Sequence, residues 1–157
     1  MKTRRDDSNS FTLDETDKAI ISRLQDDGRI AYAKLGPAVG LSAAAVRQRV
    51  LSLIDHGVMQ IVAVTDPTML GFHVQAWAGI KVIGDLDRAA EAIAAIEETD
   101  YVVITSGRFD VMIEVVCEHS DHLLDLMNRI RSLDIVEDVE VLTYLRLVKQ
   151  TYDWGTR

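Results

Sequence analysis

The sequence predicts an α+β chain in two parts: a bundle of three short helices, then an antiparallel sheet of four strands with two helices on one face. Three observations predict it. The first sixty residues carry helical apolar stripes separated by glycine-marked turns. From residue 74 onward, β-branched runs and helical stripes succeed one another in the order β-α-β-β-α-β, a ferredoxin-like arrangement. The charge divides at the same place: residues 1–60 carry a net +1, and residues 61–157 carry −9 of the chain's overall −8.

In the first part, Asp14 is a good N-cap for a helix with Ile20, Ile21 and Leu24 as its stripe. Asp17 adds negative charge to the first turn. Asp26-Asp27-Gly28 ends that helix, with Gly28 expected as the stop. A second helix is expected over 31–39, with Gly36-Pro37 near its middle, where proline removes a backbone bond. The third helix follows the turn Val39-Gly40-Leu41-Ser42. Gly40 supplies a positive φ, Leu41 plugs the turn, and Ser42 caps a helix running to about His56, where Gly57 ends it. At 100° per residue, Ala43, Val46, Val50, Leu53 and Ile54 share its apolar face. Gln48 points the opposite way beside Ala44, Ala45 and Ser52, with Arg47 and Arg49 on either edge. A capped helix with a small, cation-edged outer face suits a major groove, so a trihelical or winged helix-turn-helix is expected.

Residues 58–65 are β-rich and read as a connecting strand ended by Asp66-Pro67, with a turn at Leu70-Gly71. The second part then reads as a strand over 74–83, a helix over 86–98 (Ala89, Ile93 and Ile96 inward), and strands over 101–106 and 111–117 joined by the turn Gly107-Arg108-Phe109-Asp110. A helix capped by Ser120 follows to about Leu133, with Leu123, Leu124, Met127 and Ile130 inward. The last strand covers 139–148. Both helices fall on one sheet face, so a second copy of the chain is expected to cover the other. The domain plan is a flexible N-terminus (1–11), a helix-turn-helix domain (12–58), a strand linker (59–72), a ferredoxin-like oligomerisation domain (73–150) and a tail (151–157).

Arg47 suits a bidentate contact to guanine and Gln48 one to adenine, while the alanines let the helix approach the groove floor. Lys2, Arg4 and Arg5 could touch phosphates from a solvated terminus. Cys117 lies in an apolar run and reads as a small buried residue. His119 and His122 are three apart without a second ligand cluster, so no metal is expected. His56 and His73 read as segment-end residues, Trp77 as sheet core or subunit interface, and Trp154 as a tail anchor. There is no glycine-rich phosphate loop and no nucleophile motif, so neither catalysis nor a cofactor is expected. No apolar run reaches the length of a membrane span and the polar start leads into no signal core, so a cytoplasmic protein is expected.

The segments Leu13-Asp14-Glu15-Thr16-Asp17, Leu24-Gln25-Asp26-Asp27-Gly28-Arg29, Val39-Gly40-Leu41-Ser42, Arg49-Val50, Ser106-Gly107-Arg108-Phe109-Asp110 and Val148-Lys149 share an order and spacing with one group of proteins. Over about residues 12–150 the chain resembles the Lrp/AsnC, or feast/famine, transcription regulators. The resemblance implies a homodimer built by the C-terminal sheets, often assembled into tetramers or octamers. It implies a protein of the bacterial or archaeal nucleoid whose third helix binds double-stranded DNA sequence-specifically. It also implies a small effector, usually an amino acid, at an interface between C-terminal domains. Carried over, DNA contact falls on Ser42, Ala43, Ala44, Arg47, Gln48 and Arg49. Effector contact falls on Gly107, Arg108, Phe109 and Asp110, and on Leu142, Thr143 and Tyr144. Two positions depart from the pattern: Gly36-Pro37 replaces the usual small-residue helical run, and Arg108 occupies a turn position that is often acidic. The same layout is reused in siroheme decarboxylases, whose helix-turn-helix does not bind DNA. Those need basic residues for a polycarboxylate tetrapyrrole, and the acidic second half argues against them. An effector-sensing assembly protein with no DNA role is the third reading.

Overall fold

The computed structural model describes residues 11–152 together with 155 and 156; Lys2, Arg4, Arg5 and Trp154, with the roles expected of them, lie outside the described residues. The chain forms two units, one of residues 1–63 with 149–157 and one of residues 64–148. Among the described residues no helix is long and apolar enough to cross a membrane.

The first unit holds α1 (Glu15–Asp26), α2 (Tyr32–Ala38) and α3 (Ala43–Asp55). At the start of α1 a reciprocal capping box forms. The Asp14 carboxylate accepts from the Asp17 N–H at 2.7 Å, and the Asp17 carboxylate accepts from the Asp14 N–H at 3.2 Å. Gly28 does not adopt a left-handed conformation, contrary to its expected role; Asp27, in extended backbone, is the C-cap. Helix α2 is shorter than expected, and Pro37 sits in its last turn rather than its middle. Having no N–H, Pro37 leaves the Ala33 carbonyl without its usual i+4 donor, a loss of one intrahelical bond. Gly36 is buried because α2 abuts the next turn. A Cβ there would lie 2.6 Å from the Leu41 carbonyl oxygen. The unit's core is Ile20, Leu24, Leu35, Val46, Val50 and Leu53, with Leu13, Tyr32, Leu41 and Met59 packed around it.

Residues 58–66 form no strand. They pair with no described strand of this chain, and Ile61, Val62 and Val64 are exposed; β-propensity alone makes no strand without a partner. A single 3-10 turn, Pro67–Leu70, follows, capped by Asp66.

The second unit contains β1 (Val74–Val82), α4 (Leu86–Ala94), β2 (Thr99–Ile104), β3 (Val111–Cys117), α5 (Ser120–Arg131) and β4 (Val136–Thr143). The four strands form one sheet in the order β2-β3-β1-β4, and every neighbouring pair is antiparallel. This is the ferredoxin-like β-α-β-β-α-β topology. One face packs Ala76, Ala78, Ile80, Val111, Ile113, Val115, Cys117 and Val139 against Ile93 of α4 and Leu126, Met127 and Ile130 of α5.

Several boundaries move. Helix α4 stops at Ala94 because the Thr99 hydroxyl donates to the carbonyls of Ile93 and Ile96 and draws the chain into β2. Helix α5 is capped by His119, whose Nδ1 accepts from the His122 N–H at 3.0 Å, and not by Ser120. In its stripe Leu126 is buried and Leu124 is exposed. Strand β4 begins at Val136 and ends at Thr143, so Leu145, Leu147 and Val148 lie beyond it and are exposed.

Candidate nucleic-acid interface

Helix α3 is positioned from both ends of the turn before it. Gly40 takes φ 71°, which lets the Leu41 N–H reach back to the Gly36 carbonyl at 2.9 Å. Ser42, in extended backbone, starts the helix, and its Oγ accepts from the Ala45 N–H at 3.2 Å. Val46, Val50 and Leu53 are fully buried against α1 and α2, which turns the opposite side outward. On that outer side Ser42, Ala43, Ala44, Arg47 and Gln48 are all exposed. Ala43 and Ile54, expected on the apolar face, are exposed too, because the buried stripe is narrower than a 100° sector drawn from sequence.

Arg49 is placed differently from Arg47 and Gln48. Its Nη1 donates to Asp14 Oδ2 and to Asp17 Oδ1, each at 2.7 Å, so it bridges both carboxylates of the α1 capping box. Asp17, 6% exposed, is the buried charged side chain among the described residues. The Asp17 N–H bond, followed by Arg49, holds the Asp14 carboxyl below the usual range. The Asp17 and then Asp14 carboxylates push the Arg49 guanidinium up. Both shifts favour the ionised pair.

The residues assigned to an effector lie at the sheet of the second unit. Thr105 and Asp110 close the β2–β3 turn: the Thr105 hydroxyl donates to the Phe109 carbonyl at 2.6 Å, and the Thr105 N–H donates to the Asp110 carbonyl. Asp110 also ties the turn to β1. Its N–H donates to the Ile80 carbonyl, and its Oδ2 accepts from the Val82 N–H at 3.0 Å. The Asp110 carboxylate is therefore engaged by backbone, with Lys81 Nζ 3.8 Å away. Phe109 lies flat over Gly79, where a Cβ would meet the ring at 2.3 Å. Arg108 stacks at 5.1 Å from the Phe109 ring centroid and donates to Glu140 Oε2 at 2.6 Å, which links the turn to β4.

Leu142 pairs in register with Trp77, and Thr143 with Ala76. The Tyr144 hydroxyl donates to Glu114 Oε1 at 2.6 Å. Burial and the adjacent Glu114 carboxylate push the Tyr144 phenol well up. The turn and the Leu142–Tyr144 group thus sit two β1 rows apart, the first at Gly79 and the second at Trp77.

Sequence reading placed Trp77 at the sheet core or a subunit interface but missed its companions Tyr101 and Glu114. Trp77 packs edge-on against Tyr101 with centroids 5.7 Å apart, and Glu114 is the register partner of both. Burial, then Glu114, pushes the neighbouring Asp100 carboxyl up. The signal was available: in β3 the core residues alternate, so Met112, Glu114 and Val116 had to share the other face. Also missed was Glu98, whose Oε1 accepts from Arg129 at 2.6 Å and lies 3.3 Å from His122 Nε2. These line or adjoin a cleft of about 410 Å³ between the ends of α4 and α5. His119 and His122 are engaged as a cap and a carboxylate partner, and among the described residues no three potential ligands converge on a metal position.

Comparison with known proteins gives a concordant result. Residues 13–54 match the AsnC-type helix-turn-helix domain, and residues 72–157 match a C-terminal dimeric alpha+beta barrel domain of AsnC-type regulators. The transcriptional regulator FL11 of Pyrococcus horikoshii is 30% identical over 141 residues, covering 88% of this chain and 93% of that protein. The solved leucine response regulatory protein (LrpA) of Mycobacterium tuberculosis superposes with a TM-score of 0.84 at 26% identity, covering 92% of this chain and all of that one. The fold is shared with the transcriptional regulator NMB0573 of Neisseria meningitidis, solved as its L-Met complex, with a TM-score of 0.79 at 22% identity, covering 93% of this chain and 97% of that one. The chain belongs to the Lrp/AsnC family of helix-turn-helix transcriptional regulators.

Proposed function

We propose that this regulator reads duplex DNA with the outer face of α3 and presents two such helices from a homodimer joined at the open sheet face. The observation that carries the reading is the exposed row Ser42, Ala43, Ala44, Arg47 and Gln48 on a helix whose other side is fully buried. Small residues allow close approach, and Arg and Gln offer bidentate edges to guanine and adenine. Ser42 keeps its capping bond and is available to a phosphate only through its remaining valence. Support for the dimer comes from the sheet face opposite the helices. Tyr101 and Leu142 there are half exposed beside Trp77, an apolar group that a second copy could cover. The matched C-terminal family is itself described as dimeric. Higher assembly into tetramers or octamers would build on that dimer.

The effector reading places a small amino-acid-like molecule between C-terminal domains, against Gly107, Arg108, Phe109 and Asp110 and against Leu142, Thr143 and Tyr144. Its support is the exposed Arg108 guanidinium at the β2–β3 turn, able to receive a carboxylate in exchange for Glu140, and the L-Met complex of the Neisseria protein. In this reading the protein acts in the cytoplasm, on the nucleoid, and catalyses nothing.

The test is binding of a palindromic fragment from the protein's own upstream region. Affinity should fall steeply with salt and nearly vanish in the Arg47→Ala, Gln48→Ala double variant. Unchanged affinity in that variant would reject α3 as the reading element.

A further inference from the structure

Burial of Val46, Val50 and Leu53 sets which side of α3 faces outward, and a fixed polar contact to α1 can hold that rotation more closely. Rotation matters here because consecutive helical residues are about 100° apart, so a small turn moves Arg47 and Gln48 off a groove. The contact able to fix it is Arg49. One nitrogen, Nη1, sits 2.7 Å from Asp14 Oδ2 and 2.7 Å from Asp17 Oδ1, on residues 35 and 32 positions away. Both carboxylates are already pinned by the reciprocal capping box, so they form a rigid socket rather than a pair of mobile side chains. The Asp17 side chain is 8% exposed, and Arg49 is the cation that pairs with it. The Arg49 side chain is 35% exposed, against the open placement of Arg47 and Gln48.

We propose that Arg49 is a positioning residue: held by Asp14 and Asp17, it fixes the rotation of α3 so that its neighbours Arg47 and Gln48 face the duplex, and it makes no DNA contact of its own. This inference rests on α3 being the reading helix. It replaces the expectation that Arg49 itself touches DNA.

The experiment uses the full chain and a duplex that the wild type enriches from a random-sequence pool, beside an unrelated duplex, each titrated over a range of salt. Arg49→Met should reduce the specific-to-unrelated affinity ratio by roughly tenfold or more, about the discrimination of one good base contact. The slope of log affinity against log salt should not change, because no phosphate contact is lost. Arg49→Lys, which restores a cation to the socket, should recover part of the ratio. Asp17→Asn and the milder Asp14→Asn leave every DNA-facing atom in place and should lower the ratio in the same direction. The proposal is overturned if Arg49→Met lowers the salt slope by about 0.9, the value of one phosphate contact, or weakens both duplexes equally. It is also overturned if the aspartate variants, which free Arg49, leave the ratio unchanged or raise it. Should the wild type enrich no duplex at all, the reading-helix assignment fails first and this inference falls with it.

Discussion

Replacing Gly36 by alanine sets two effects of opposite sign against each other, and the structure decides between them. In an ordinary helix the change would stabilise by roughly 0.8–1.0 kcal/mol, because alanine is the better helix former. Here the new Cβ would lie 2.6 Å from the Leu41 carbonyl oxygen and 3.3 Å from both Ala43 N and Ser42 C. All three are backbone atoms of the turn into α3, so no flexible side chain can swing aside. The same turn is held to α2 by the Leu41 N–H bond to the Gly36 carbonyl at 2.9 Å, worth about 1 kcal/mol. Opening the gap strains or breaks that bond and lifts Leu35 from the core. Overpacking of this kind costs about 1–3 kcal/mol and more where backbone must move. The expected net effect is a loss of about 1–3 kcal/mol, with each kcal/mol lowering the melting temperature of so small a unit by roughly 4–8 °C. Thermal circular dichroism on the full chain measures the loss, and hydrogen exchange assigns it: amides of α1–α3 should exchange faster while those of β1–β4 hold. A variant that melts higher, with better protected α2 amides, would refute the close-approach argument.

Three further outcomes follow from the same geometry. Asp14 has its carboxyl pKa lowered from 3.8 by the Asp17 N–H and Arg49, so it contributes stability above that pH and loses it as pH falls through the lower folded value. Acid titration of the three-helix unit should therefore show a loss below about pH 4 that Asp14→Asn removes. Gly79→Ala would displace the Phe109 ring and with it the β2–β3 turn; near-ultraviolet dichroism and a fall in effector response should report it while the melting temperature drops by only a few degrees, since the ring can move. Glu114→Gln removes a carboxylate from the face proposed to pair with a second copy while keeping an acceptor for Tyr144. Sedimentation should show tighter self-association than in the wild type at neutral pH, and weaker association would count against pairing through this face.

Local chemistry was legible in the sequence wherever one residue decided the outcome. Asp14 and Ser42 cap the helices assigned to them, and β3 spans Val111–Cys117 as expected. What failed depended on partners far along the chain. Residues 58–65 look like a strand by composition, but a strand needs a neighbour to pair with, and no described strand of this chain pairs with them. Helix α4 ends early where Thr99, beyond the helix, donates to the carbonyl of Ile93 in its last turn and to that of Ile96 just after it. Leu124 and Leu126 are both apolar and flank the stripe from opposite sides, about 160° apart, and the sheet beneath α5 selects Leu126. Of the candidate site, the outer face of α3 could be drawn from periodicity alone. Arg49 could not, since its position on the helical wheel is compatible with solvent, DNA or an ion pair, and the carboxylates that claim it lie more than thirty residues earlier.

The most direct test of the account is a cleavage-protection footprint of the full chain on its enriched duplex, read together with its mass in solution. The account predicts a dimer or larger assembly that protects two half-sites on one face of the DNA, about 10–10.5 base pairs apart or a multiple of that. A monomer that leaves the duplex unprotected even at low salt would contradict it.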